Sequence, residues 1–262
     1  MKKINLKKMP LIIAVVGKGG VGKTVLTTLL AKIISQSHNL KMLLIDADPT
    51  HPHLSNMVKL IPEKTLEEVR LQAVEKTLKK EISTKLIAKN IDFEVYNAMA
   101  ESKDYCLFSI GRPEGPGCFC PSNTLLKRVI ESISKDFDLI LIDCEAGLEQ
   151  INRMVIESVD IILIVTDVSL RSVETANSIR NSAKKFTNYK KIGVIVNRVK
   201  GDIGLILKKV EEFKLTLIGQ IPEDPNIVQY ELEGKPIIDL PEKSISLLEA
   251  KKIVNDLLEI ED

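Results

Sequence analysis

Gly17-Lys18-Gly19-Gly20-Val21-Gly22-Lys23-Thr24 is the stretch of this chain whose residue types and spacing most clearly do chemistry. Its glycines let backbone N–H groups turn inward around an anion, because no Cβ blocks the approach. The spacing Gly-x4-Gly-Lys-Thr is that of a phosphate-binding loop. In such a loop Lys23 reaches the β- and γ-phosphates of a nucleotide, and Thr24 places its hydroxyl on Mg²⁺. The backbone of Gly17, Gly19, Gly20, Val21, Gly22 and Val25 completes the cradle. A helix opening there adds donors and a favourable dipole. Lys18 is surplus to this chemistry, since Lys23 already serves the loop's own phosphates.

Carboxylates end two apolar runs. Asp46-Ala47-Asp48-Pro49 closes one, and Asp143 closes Asp138-Leu-Ile-Leu-Ile-Asp143. The second has the form of a Walker B strand, in which Asp143 holds Mg²⁺ through water. Gly147 follows at a spacing where a backbone N–H senses the γ-phosphate. Val196-Asn197-Arg198 and Ile221-Pro222-Glu223-Asp224 end two further runs.

Cys118-Phe119-Cys120 is a different kind of feature. Thiols at i and i+2 share a face of an extended chain, but one chain supplies only two ligands. A two-fold dimer supplies four. Soft thiolates suit Zn²⁺, Ni²⁺ or Cu⁺. Cys144, just after a buried strand, reads as packing. His51 and His53 flank Pro52 and read as incidental residues of an exposed loop.

These residues need a scaffold. Apolar runs recur at Leu11–Val16, Met42–Ile45, Leu139–Ile142, Ile161–Val165, Ile192–Val196 and Leu215–Ile218, with helix-like segments between most of them. Tyr105–Ile110 is a further candidate strand. Continuous apolar runs alternating with helices predict an α/β fold: a mostly parallel sheet with helices on both faces and ligands at the carboxyl ends of the strands. Thr65 to Asn90 reads as helical, with Leu66, Val69, Ala73, Leu78 and Ile82 roughly on one face. From Gly111 to Pro121, prolines and glycines exclude helix and regular strand. Ser122 or Asn123 then caps a helix reaching about Ser134.

At 262 residues, 44% hydrophobic and 28% charged, the chain reads as a single globular domain spanning 1–262 with a basic extension over 1–10. A net charge of +1 and the absence of Trp give no sign of a nucleic-acid or membrane-surface binder. The apolar run after Pro10 is too short for a signal segment, so a cytoplasmic location is expected. Four cysteines in such a chain point to metal or redox chemistry rather than a disulfide framework.

The loop with its early lysine resembles the deviant P-loop of the MinD, ParA and nitrogenase-iron-protein family of ATPases. That resemblance implies a homodimer in which Lys18 reaches the partner's nucleotide. It implies that Asp48 orients or activates the attacking water and that Asp46 lies near Mg²⁺. Asn197, with Arg198, would read adenine, and Pro222 and Glu223 would pack beside the base. Relatives carry a second hydroxyl after Thr24 where this chain has Val25, so one side-chain contact to the α-phosphate is missing. The cysteine pair and Asp143-Cys-Glu-Ala-Gly-Leu-Glu149 together resemble the CooC-type nickel-insertion ATPases. These imply Ni²⁺ or Zn²⁺ at Cys118 and Cys120 across a dimer, and a client such as carbon monoxide dehydrogenase or acetyl-CoA synthase. Two alternatives belong to the same family. An iron–sulfur reductase like the nitrogenase iron protein needs separated single cysteines. A MinD- or ParA-type positioning ATPase, in its membrane-bound form, needs a basic amphipathic tail, whereas this chain ends in Glu259, Glu261 and Asp262.

Overall fold

The computed structural model describes residues 9–48, 52–78, 93–112, 132–144 and 158–258. Among them are β1 (Leu11–Gly17), β2 (Met42–Ala47), β3 (Ala100–Glu101), β4 (Tyr105–Ser109), β5 (Leu139–Cys144), β6 (Ser158–Thr166), β7 (Asn188–Val199) and β8 (Leu217–Pro222). The helices are α1 (Lys23–Ser37), α2 (Leu54–Val58), α3 (Leu66–Leu78), α4 (Leu170–Phe186), α5 (Gly204–Glu212), α6 (Pro225–Leu232) and α7 (Ile245–Leu258), with a short helix over 93–98.

The strands form one sheet in the order β3-β4-β2-β5-β1-β6-β7-β8. Every pairing is parallel except that of β3, which runs antiparallel to β4. Strands β1, β2 and β5, in the middle of the sheet, are apolar up to their carboxyl ends because both faces are covered. Side-chain alternation splits the core in two. Ala14, Val16, Ile140, Ile142, Ile162 and Ile164 face α4 and α5, joined by Leu66 and Val69 of α3. Ile13, Val15, Leu139, Leu141 and Leu163 face α1 and α7. In α4 the apolar stripe Val173, Ala176, Ile179, Ala183 faces the sheet. Ser169 caps its N-terminus, and Lys184 and Lys185 sit against the negative end of its dipole.

Strands β6 and β7 run longer than their apolar runs, and two features differ in kind from the sequence pattern. The run Leu215–Ile218 enters the sheet only at Leu217. Leu215 instead closes α5: Lys214 takes a left-handed conformation at φ 52, its N–H donates to Glu211 O, and the Leu215 N–H donates to Val210 O. That is a Schellman closure with Leu215 packed back on the helix. Strand β3 has no apolar run of its own and was not expected. The helix expected from Thr65 is present as α3, opened by a capping box in which Thr65 N donates to Glu68 Oε2 and Glu68 N donates to Thr65 Oγ1. The expected 79–90 continuation and the Pro113–Pro121 stretch lie outside the described residues; of the helix after it only the end is described, helical at 132–133 and followed by a 3-10 turn at Ser134–Asp136.

Candidate functional site

Strand β1 lies mid-sheet between β5 and β6, so its carboxyl end opens onto strand ends on both sides. Gly17 ends it with φ 151, and a Cβ there would stand 2.3 Å from Val165 O of β6. Gly22 has φ 91, and a Cβ would stand 2.4 Å from Asn197 Nδ2. At both positions the close neighbour is the protein itself, so these glycines serve the packing of the loop against β6 and β7. Gly20, at φ 81 with open space around it, is required by its torsion alone.

Helix α1 starts at Lys23 with Gly22 at its N-cap, no side-chain cap and no acidic residue in its first turn. An N-terminus with no capping side chain and no acidic residue of its own suits a bound phosphate. Lys18, Gly19 and Gly20 are exposed, whereas Lys23 and Thr24 are half-buried. Lys23 Nζ lies over the loop, 3.2 Å from Lys18 O.

The carboxylates meet on the sheet. Asp46 and Asp143 are register partners on β2 and β5, and Asp143 is also paired with Val15, two residues before the loop. Asp46 is wholly buried and Asp143 nearly so. Burial, and next the Asp143 charge beside it, push the Asp46 carboxyl up to about 8. Its Oδ1 and Oδ2 accept from the N–H groups of Asp48 and Leu54, both at 3.2 Å, so Asp46 holds the loop that carries Asp48 and His53. Burial raises Asp143 as well, to about 6, while the Thr24 hydroxyl and the Lys23 charge pull it back. Thr27, on the next turn of α1, reaches Asp143 Oδ1 at 3.4 Å. Asp143, hydrogen-bonded to the Thr24 hydroxyl, with Asp46 beside it in register, forms an oxygen donor set that fits a hard divalent cation such as Mg²⁺.

On the other side of the loop, Gly22, Val25, Asn197, Arg198, Pro222 and Glu223 line one cleft of about 280 Å³. All six were singled out in the sequence. Residues of α6 (Ile227, Val228 and Glu231) complete the lining with the buried Asp224 and Ser246. Asp-Pro at 224–225, an N-cap followed by proline at the first helical position, is the sequence signal for that helix. Asp224 caps two helices. One oxygen accepts from Asn226 N at 2.8 Å, and the other from Ser246 N at 3.0 Å and from the Ser244 hydroxyl. Burial works against ionisation of Asp224, but those hydrogen bonds outweigh it and hold the carboxyl below its ordinary value.

The structure also shows something the residue pattern did not: Asn197 Nδ2 donates to Val21 O at 2.8 Å, and Arg198 Nη1 donates to Gly20 O at 3.2 Å. One amide donor of Asn197 is therefore engaged within the protein. Cys144 is buried against the sheet and its thiol pushed up by burial, in keeping with packing. Cys118, Cys120, Gly147 and His51 lie outside the described residues. Among the described residues no group of three or more His, Cys, Asp or Glu is arranged to hold a metal ion, and no helix is long and apolar enough to cross a membrane.

Comparison with known proteins agrees with this architecture. Residues 12–237 match the model of the CobQ/CobB/MinD/ParA nucleotide binding domain. An uncharacterized ATP-binding protein of Methanocaldococcus jannaschii is 37% identical over 253 residues, 95% of this chain and 98% of that protein. The carbon monoxide dehydrogenase accessory protein CooC of Rhodospirillum rubrum is 30% identical over 240 residues, 87% of this chain and 89% of its own. Among solved structures, the cell division ATPase MinD of Pyrococcus furiosus superposes with a TM-score of 0.68 at 25% identity, over 96% of this chain and 100% of that one. With the loop, the strand-end carboxylates and the adjoining cleft in these positions, the chain belongs to the CobQ/CobB/MinD/ParA nucleotide-binding family and is a P-loop ATPase.

Proposed function

We propose that this chain is a dimerising ATPase that couples ATP hydrolysis to nickel handling for a client metalloenzyme of the carbon monoxide dehydrogenase or acetyl-CoA synthase type. The hydrolytic half is carried by one observation: Asp46 and Asp143 stand side by side, buried, at adjacent strand ends beside the P-loop. The nickel half is supported by Cys118-Phe119-Cys120 and by the likeness to CooC across most of both chains.

In this reading Lys23 and the loop N–H groups bind the β- and γ-phosphates. Thr24 and Asp143 would hold Mg²⁺, with Asp46 behind them, and the cation would supply charge neutralisation for the phosphates. Asp48, held at the mouth of β2 by Asp46, orients a water for in-line attack on the γ-phosphorus. The new P–O bond forms as the bond to the β–γ bridging oxygen breaks, giving ADP and phosphate. The Gly147 N–H follows the γ-phosphate, and the cleft at Asn197, Arg198, Pro222 and Glu223 takes the base. Each Lys18 reaches the phosphates bound by a second protomer. Cys118 and Cys120, doubled by that protomer, give four thiolates for a Ni²⁺ or Zn²⁺ cargo whose affinity changes with the nucleotide state.

The test is metal stoichiometry and oligomeric state, measured with and without ATP, for the natural chain and for Cys118→Ser/Cys120→Ser. One ion per ATP-bound dimer, lost in the double variant with ATP hydrolysis retained, is the expected result. Unchanged metal content in that variant overturns the nickel reading and leaves the ATPase standing. The likeness to MinD over nearly the whole chain favours a second reading, a partner-regulated positioning ATPase. ATP-dependent pelleting with liposomes or DNA would select it.

A further inference from the structure

From the way β7 meets the P-loop, we infer that Asn197 and Arg198 are positioning residues that aim the phosphate-binding N–H groups of Gly22 and Val21. This rests on the reading of the loop as a triphosphate site.

The argument begins with the loop carbonyls. Val21 O accepts from Asn197 Nδ2 at 2.8 Å, and Gly20 O accepts from Arg198 Nη1 at 3.2 Å. A trans peptide is planar, with C=O and N–H pointing in opposite directions. Holding the Val21 carbonyl therefore sets the direction of the Gly22 N–H, and holding the Gly20 carbonyl sets that of the Val21 N–H. Both carbonyls are turned toward β7, so both N–H groups are turned away from it. Glycine-rich loops need such fixing. Gly20 and Gly22 sit at φ 81 and 91, where backbone freedom is greatest and a peptide flip costs little.

Strand β7 is shaped for this grip. Its pairing with β8 shifts register between Val196 and Val199, and Arg198 takes a left-handed φ of 56. A bulge re-aims side chains at a strand end. Here it sends two consecutive residues toward the same loop, where a regular strand would send them to opposite faces. Asn197 is 6% exposed, and a Cβ on Gly22 would stand 2.4 Å from its amide nitrogen, so loop and side chain leave no space between them. Because both residues also line the cleft beside the loop, occupation of that cleft and the aim of the phosphate donors share the same two side chains.

The test separates base from phosphate. Mg²⁺-tripolyphosphate carries the phosphates and no base. Its affinity and that of Mg²⁺-ATP are measured by calorimetry for the natural chain, Asn197→Ala and Arg198→Ala. In parallel the backbone amide resonances of Gly22 and Val21 are followed by NMR as tripolyphosphate is added. The expected result is that Asn197→Ala weakens tripolyphosphate by roughly three- to tenfold and ATP by at least as much. It diminishes the ligand-induced shift at Gly22 more than at Val21, while Arg198→Ala does the reverse. General damage to the fold would not sort the two amides in this way. Loss of ATP affinity with tripolyphosphate binding unchanged means that Asn197 reads only the base and overturns the inference, as does unchanged binding of both. If the natural chain binds neither ligand, it is the triphosphate reading of the loop that fails. Arg198→Ala carries the test alone should Asn197→Ala not fold.

Discussion

Asp46 and Asp143 occupy a corner where burial raises the cost of ionising both, and where the Asp143 charge adds to it at Asp46 and the Asp48 charge at Asp143. The consequence for stability follows from linkage. Asp46 ionises less readily folded than unfolded, so the folded state holds the extra proton between the ordinary carboxylate range and about 8. The protein without nucleotide should therefore lose stability as pH rises through that window. A loss of even 1 kcal/mol appears as about 2–4 °C in Tm for a chain of this size. Asp46→Asn should flatten the slope of Tm against pH, and Mg²⁺ with nucleotide should offset it in the natural chain. The slope is the quantity to compare, since asparagine keeps only one acceptor for the N–H groups of Asp48 and Leu54. Much of this site was legible from residue types: the loop, Asp46, Asp143 and the six cleft residues are all brought together. The use of Asn197 and Arg198 as clamps was not legible. It depends on a bulge and a positive φ, and arginine at φ 56 leaves no trace in a hydrophobic pattern.

At the scale of elements, helix ends carry the sharpest expectations. One carboxylate, Asp224, caps both α6 and α7. Asp224→Ala removes both caps and should cost about 2 kcal/mol or more in denaturant unfolding. Its carboxyl is held below its ordinary value, so this contribution is present above the unfolded pKa and fades as pH falls through the folded one. At the other end of a helix, Lys214 sits at φ 52 where glycine is the usual residue. Lys214→Gly relieves that torsion, and differential scanning calorimetry should show a gain of about 1 kcal/mol. Six of the strands follow from continuous apolar runs, and Tyr105–Ile110 gave the seventh as β4. Two features escaped for physical reasons. Leu215 is apolar because it closes α5, and β3 is too short to have a period at all.

For the molecule as a whole, the two cores, one on each face of the sheet, make the site a product of long-range assembly. Under the proposed function, turnover also depends on a second copy. Lys18→Ala should lower the hydrolysis rate by ~10²-fold or more and abolish ATP-dependent dimerisation in light scattering. ATP affinity of the single chain should move little, because Lys18 is exposed and in this reading serves the second protomer's phosphates. The mid-sheet place of β1 has one more consequence, and it concerns synthesis. Both neighbours of β1 come late, since β5 begins at Leu139 and β6 at Ser158. A ribosome adding ~5–20 residues per second would leave Leu11–Gly17 without a strand partner for about 6–25 s. For that interval the most apolar strand of the nucleotide site is a nascent segment in need of shelter, and the P-loop is the first functional element made and among the last to be shaped.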